Sequence, residues 1–165
     1  MSSSSAQARA IRALGLTALT LDLRGHGGSA SEAFPGSQQF TARLEESLDA
    51  AALDARAGLD LLDRQFRTGR GAIGMVGAGI GGLVAARLAG TVPRRVAALV
   101  ILSPWGRAEA YQGPAGLLFP GSVLFVHGSE EGSAATSVRT LNGTLGAIAA
   151  PPIVVPGAAG GFNLP

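Results

Sequence analysis

Short apolar runs alternate with longer amphipathic stretches along this chain, and that alternation limits the fold more than any other feature. Leu16 to Leu21, Ile73 to Val76, Arg95 to Leu102, Ser122 to Val126 and Pro152 to Val155 are strand-length and mostly aliphatic. The longest helical pattern, Ala42 to Arg67, lies between the first two. In it Leu44, Leu48, Ala51, Ala55, Leu59, Leu62 and Phe66 recur at helical spacing with charges between them. Shorter helices are expected over Ala6 to Leu14 (ended by Gly15), over Leu83 to Leu88 (closed by Gly90) and, more weakly, over Ser133 to Ala150. Ser31 to Thr41 and Gly106 to Gly121 read as connectors, and Gly157 to Pro165 as a tail. Strands alternating with helices build a parallel sheet with covered faces. The expected fold is therefore α/β, a mostly parallel sheet of about five strands with helices on both faces. One domain spans 1–165.

Composition narrows the partners. Hydrophobic residues make up 47% of the chain, enough for a core. No apolar run nears the roughly 20 residues of a membrane span. Net charge is +2, the basic residues are scattered arginines, and one Trp and one Tyr are present. No basic stripe with interleaved aromatics exists, which speaks against nucleic acid. Without cysteine the chain has no thiolate chemistry, and no His/Asp/Glu cluster has metal-ligand spacing. Met1 to Arg12 is rich in Ser, Ala and Arg and free of acids, as transit peptides are, but it runs directly into the first strand. The expectation is a cytoplasmic protein without a membrane or nucleic-acid partner.

In a parallel sheet, sites form at the carboxyl ends of the strands. Here those ends carry Asp22 to Ser29, Gly77 to Gly82, Ser103, His127 to Glu131 and Pro156 to Gly161. The turn Gly77-Ala78-Gly79-Ile80-Gly81-Gly82 has two readings. It satisfies G-x-G-x-x-G, in which glycines admit a pyrophosphate to a helix N-terminus, and so resembles the FAD- or NAD-binding fingerprint. It also matches G-x-S-x-G, the nucleophile elbow, with glycine at the serine position. A dinucleotide loop wants an acid roughly 20 residues on to hold the ribose. Leu102-Ser103-Pro104 stands there, and the next acid is Glu109.

Three further segments favour the second reading. Asp22-Leu23-Arg24-Gly25-His26-Gly27-Gly28-Ser29 resembles the D-x-R-G-H-G-x-S turn of α/β-hydrolases. Pro93 to Pro104 is similar to their passage after the elbow, and Val123 to Glu131 to the strand and turn that end in the catalytic acid. The order agrees over nearly the whole chain. The resemblance implies a serine hydrolase acting on ester or similar bonds, with no cofactor. It places the nucleophile at Gly79, the acid at Glu131 (with Glu130 its rival), the base at Gly160, and one oxyanion donor at the Ile80 N–H. Neither glycine can do the chemistry of the group it replaces.

The expectation is therefore a truncated, non-catalytic member, a pseudoenzyme or fragment with a possible role in binding a small apolar ligand, a partner or a second copy. Two alternatives stay open. One is a flavin- or nicotinamide-binding module. The other is a residual hydrolase with a displaced serine: Ser29 beside Asp22 and His26, or Ser103 or Ser129 beside His127. The resemblance also implies that the chain begins after a strand and loop that supply the second oxyanion donor. That strand would lie between the runs ending at Asp22 and Val76, so an open edge, marginal stability or dimerisation is expected.

Overall fold

The computed structural model describes residues 3–30, 42–68, 73–106, 108–111, 121–145 and 149–159. In chain order it shows α1 (Ser3–Ala13), α2 (Leu44–Phe66), β1 (Ile73–Ala78), α3 (Ile80–Thr91), β2 (Val96–Leu102), β3 (Ser122–Gly128), α4 (Gly132–Leu145) and β4 (Ile153–Val155). Short 3-10 turns stand at Gly27–Ser29 and Ala108–Tyr111. The four strands form one parallel sheet in the order β1-β2-β3-β4. The fold is α/β as the alternation requires, with four strands where about five were expected.

The missing fifth is Leu16 to Leu21. These residues run without helix, turn or bend, but they join no ladder. Leu16, Leu19 and Leu21 stay exposed. What holds the segment is α2. Leu21 and Leu19 lie against Gly58, where a side chain would come within 2.6 Å of Leu21 Cδ1. Just beyond, the Arg24 guanidinium forks onto Asp54, with Nε at 2.9 Å and Nη2 at 2.6 Å, and its backbone N–H donates to the same carboxylate. A strand needs a neighbour within ladder distance, and among the described residues this segment has none.

The core lies on one face of the sheet. Parallel register places Leu99 beside Val123 and Ile101 beside Phe125, all buried. A register shift between Ile73 and Gly74 turns Val96 onto the same face. Against them pack Leu83, Val84 and Leu88 of α3, Leu48 and Leu59 of α2, and Val138 and Leu141 of α4. Arg87, buried on α3, reaches Glu45 and Asp49 on α2 and locks the two helices together. The opposite face carries Val76, Val100, Leu102, Leu124, Val126 and Ile153, of which Val76 and Ile153 are half-exposed. On the described residues the helical cover is one-sided.

Element ends differ from the expectation where capping was misread. α3 begins at Ile80, directly after Gly79 and within the glycine turn, and runs through Gly90 to Thr91. Its end is set by the Val92 N–H donating to the Leu88 carbonyl, with Pro93 next, so Gly90 closes nothing. α4 stops at Leu145, and Ala149 already bridges to Val123 in the sheet. Gly15 ends α1 as expected, with φ of 79° and its N–H on the Arg12 carbonyl. No helix of the described residues is long and apolar enough to cross a membrane.

Candidate functional site

The carboxyl ends of the strands gather the residues that the sequence singled out. Gly79 links β1 to α3 with φ of 52° and ψ of −119°, a region L-residues avoid. Its N–H donates to the Leu102 carbonyl at 3.0 Å, just past the Ala78–Leu102 pair. A Cβ at this position would meet nothing within 4 Å. Its neighbours differ. A Cβ at Gly77 would run into the Gly81 carbonyl, and one at Gly82 would lie 2.8 Å from Ile101 Cγ2. Gly77 and Gly82 therefore let α3 close on the sheet, whereas Gly79 is needed only for its backbone angle. Ile80 opens α3, where first-turn amides have no intrahelical acceptor.

One strand over, Ser103 directly follows β2 with φ of 45°, a strained value for a residue with a side chain. Its N–H donates to the Val126 carbonyl at 2.7 Å. Its hydroxyl donates to Glu131 Oε2 at 2.9 Å. The same carboxylate oxygen accepts the Gly128 N–H at 2.6 Å. Glu131 is thus fixed toward the strand ends, while Glu130 is exposed and donates its backbone N–H to the Ala158 carbonyl. Of the two acids the sequence left in competition, Glu131 is the one whose carboxylate is hydrogen-bonded to Ser103 and Gly128.

The histidines stand elsewhere. His127 is buried on the helix side of β3, its Nδ1 2.8 Å from the Gly128 carbonyl oxygen. Ser129, two residues on, accepts the Gly157 N–H on its hydroxyl oxygen. His26 lies in the Asp22 turn with Nδ1 3.2 Å from the Arg24 carbonyl oxygen. In that turn the Asp22 carboxylate accepts the Gly28 N–H at 2.9 Å, and a Cβ at Gly27 would come within 2.5 Å of it. Gly25, with φ of 77°, donates its N–H to the Ser29 carbonyl. These contacts make a tight local turn bound to α2 through Arg24. Gly160, at the expected position of the base, lies outside the described residues. Among the described residues no group of His, Asp and Glu has the arrangement of a metal site.

Sequence reasoning missed Tyr111. The connector after β2 brings it to full burial, where its hydroxyl accepts the Trp105 N–H at 2.9 Å and donates to the Trp105 carbonyl at 3.1 Å. Burial pushes its phenol far above the ordinary tyrosine range, so it stays a neutral donor. It pins the loop that leaves Ser103. A lone Tyr in a Gly/Pro-rich connector was the available signal.

The family model for serine aminopeptidase, S33, matches residues 2–127, most of the chain. The chain belongs to this family of α/β-hydrolases. The match runs from α1 through β3 and takes in both the Asp22 turn and the Gly79 turn. The Glu131 turn and β4 lie beyond it. No curated protein matches the chain. Among solved structures, NosK from Streptomyces actuosus is similar, with 22% identity, a TM-score of 0.61, and coverage of 94% of this chain and 82% of its own. At that identity the likeness speaks for the fold.

Proposed function

We propose that this S33-family chain keeps the hydrolase scaffold without hydrolytic turnover, and that its remnant site serves binding. One observation carries the reading: Gly79 holds the strained backbone and open side-chain space of a nucleophile elbow and has no hydroxyl to offer. Acyl transfer needs a nucleophile activated by a base. At the apex neither exists, and Glu131, the acid of the expected triad, is engaged by Ser103 and Gly128. The purified chain is expected to leave activated esters and aminoacyl arylamides uncleaved. Turnover that follows the protein through purification and is blocked by a serine-directed phosphonate would refute the reading.

Repair is the complementary test. Because the space at Gly79 is open, Gly79→Ser adds a hydroxyl without displacing a neighbour. Combined with Gly160→His it is expected to bring esterase activity above the Gly79→Ser single variant. Silence from the double variant would mean that the oxyanion side is lost as well.

A second reading rests on the Ser103–Glu131 hydrogen bond, which puts a serine and a carboxylate one strand from the empty apex. Should activity be found, Ser103→Ala abolishing it would move the nucleophile to that strand. The same activity surviving in Ser103→Ala would exclude it.

A further inference from the structure

The phase of the ladder decides which backbone groups of β4 face outward. The Ser129 N–H donates to the Val155 carbonyl at 2.9 Å, and Val155 stands opposite Gly128. In a parallel pair a residue bonded in this way turns both its N–H and its carbonyl toward the neighbouring strand. Val155 and, two residues back, Ile153 therefore face β3, and the backbone of Val154 between them faces away. Past the strand, the Gly157 N–H is taken by the Ser129 hydroxyl oxygen and the Ala158 N–H by the Val155 carbonyl.

The outward positions on either side of Val154 are Pro152 and Pro156. Neither has an N–H. From Pro151 to Ala158 the Val154 N–H is then the single outward donor, although β4 is an edge of the described sheet. The side chains alone would invite a partner. Ile153 and Val154 are 50% and 49% exposed, and no charged residue lies between Pro151 and Gly157. An apolar edge of this kind is a template for another strand.

We infer that Pro152 and Pro156 close the β4 edge against pairing with a second copy of this chain. The symmetry of the segment makes the case. A two-fold axis at Val154 would set Val154 against its own copy, and Pro152 against Pro156, in antiparallel register. The central pair could exchange both of its bonds. The flanking pairs could make none, because each bond needs an N–H that proline lacks. One bonded pair does not offset the cost of association. With ordinary residues at 152 and 156 the same edge would offer three bonded pairs around an apolar centre.

The test restores the donors. Pro152→Thr with Pro156→Thr, shown folded by circular dichroism, is expected to dimerise in sedimentation. At ten times the dimer Kd, exchange of the Val154 amide, followed by NMR, is expected to slow about tenfold. Pro156→Thr alone returns one donor to each flanking pair. It is expected to dimerise more weakly, and it keeps the edge testable if the double variant does not fold. In the unaltered chain the Val154 amide is expected to keep one rate over the same concentrations, whether or not the chain associates elsewhere. Adding Val154→Lys to the double variant sets two ammonium groups opposite one another on the axis and is expected to weaken the dimer about fivefold. Slowing of the Val154 amide with concentration in the unaltered chain overturns the inference. So does a folded proline variant that stays monomeric, or a dimer that leaves the Val154 amide unprotected or is indifferent to Val154→Lys.

Discussion

Gly77 and Gly79 are two residues apart in one turn, yet a side chain at each meets different surroundings. At Gly77 a Cβ collides with a backbone oxygen of α3, which moves only if the helix moves. At Gly79 the space is empty and the penalty is the positive φ alone. Gly79→Ala should cost about 1–2 kcal/mol, and Gly77→Ala about 3 kcal/mol, the upper end of overpacking. Urea midpoints at constant slope separate the two, and equal losses would mean that Gly79 lacks the free space described. Much of this site was readable in the sequence because turn chemistry is local. The glycine pattern located the turn, and the likeness of Val123 to Glu131 to the hydrolase strand and turn pointed to Glu131, with Glu130 its rival. The Ser103–Glu131 bond was not readable, because the two meet only when β2 and β3 become neighbours in the sheet. The burial of Tyr111 was hidden for the same reason.

At the level of elements, the Asp22 turn is joined to α2 by one fork, Arg24 on Asp54. Hydrogen bonding from Arg24 holds the Asp54 carboxyl below its ordinary value against a smaller opposing effect of burial. The unfolded chain, with Asp near about 3.9, then binds the proton more readily than the folded one. The pair's contribution is full above that value and is lost as pH falls through the lower folded value. With both side chains mostly covered, about 1 kcal/mol is at stake. Asp54→Asn should lower stability at neutral pH and flatten the acid limb between about pH 5 and pH 2. Urea melts across that range test this, and an unchanged acid limb would place the titration elsewhere. The helix bodies were legible from their period, but α3 starts earlier and ends later than propensity suggested. The turn geometry at Gly79 and the Val92 cap, rather than Gly90, set its limits.

For the whole molecule, hydropathy announced five strands and four form a sheet. Apolar character reports that a run can be buried; pairing depends on a neighbour, which a single run does not encode. Leu16 to Leu21 has the composition of a buried strand and is left with its leucines exposed. Likewise, the runs in β1, β2 and β3 are apolar on both faces, yet the described helices α2, α3 and α4 cover one. This asymmetry predicts an uneven resistance to opening. Local stability follows buried contacts and paired backbone. β2 and β3 have partners on both edges and Leu99, Ile101, Val123 and Phe125 in the core, so their amides should open only with global unfolding. β1 has one partner and a half-exposed Val76, and should exchange faster at its free-edge amides. Residues 16–21 have no ladder, and their amides should exchange fastest, at rates set by local opening rather than by unfolding of the sheet. Exchange of the isolated chain, read by mass spectrometry at segment resolution, orders the three. Protection of residues 16–21 equal to that of β2 would show that the segment joins a ladder in solution.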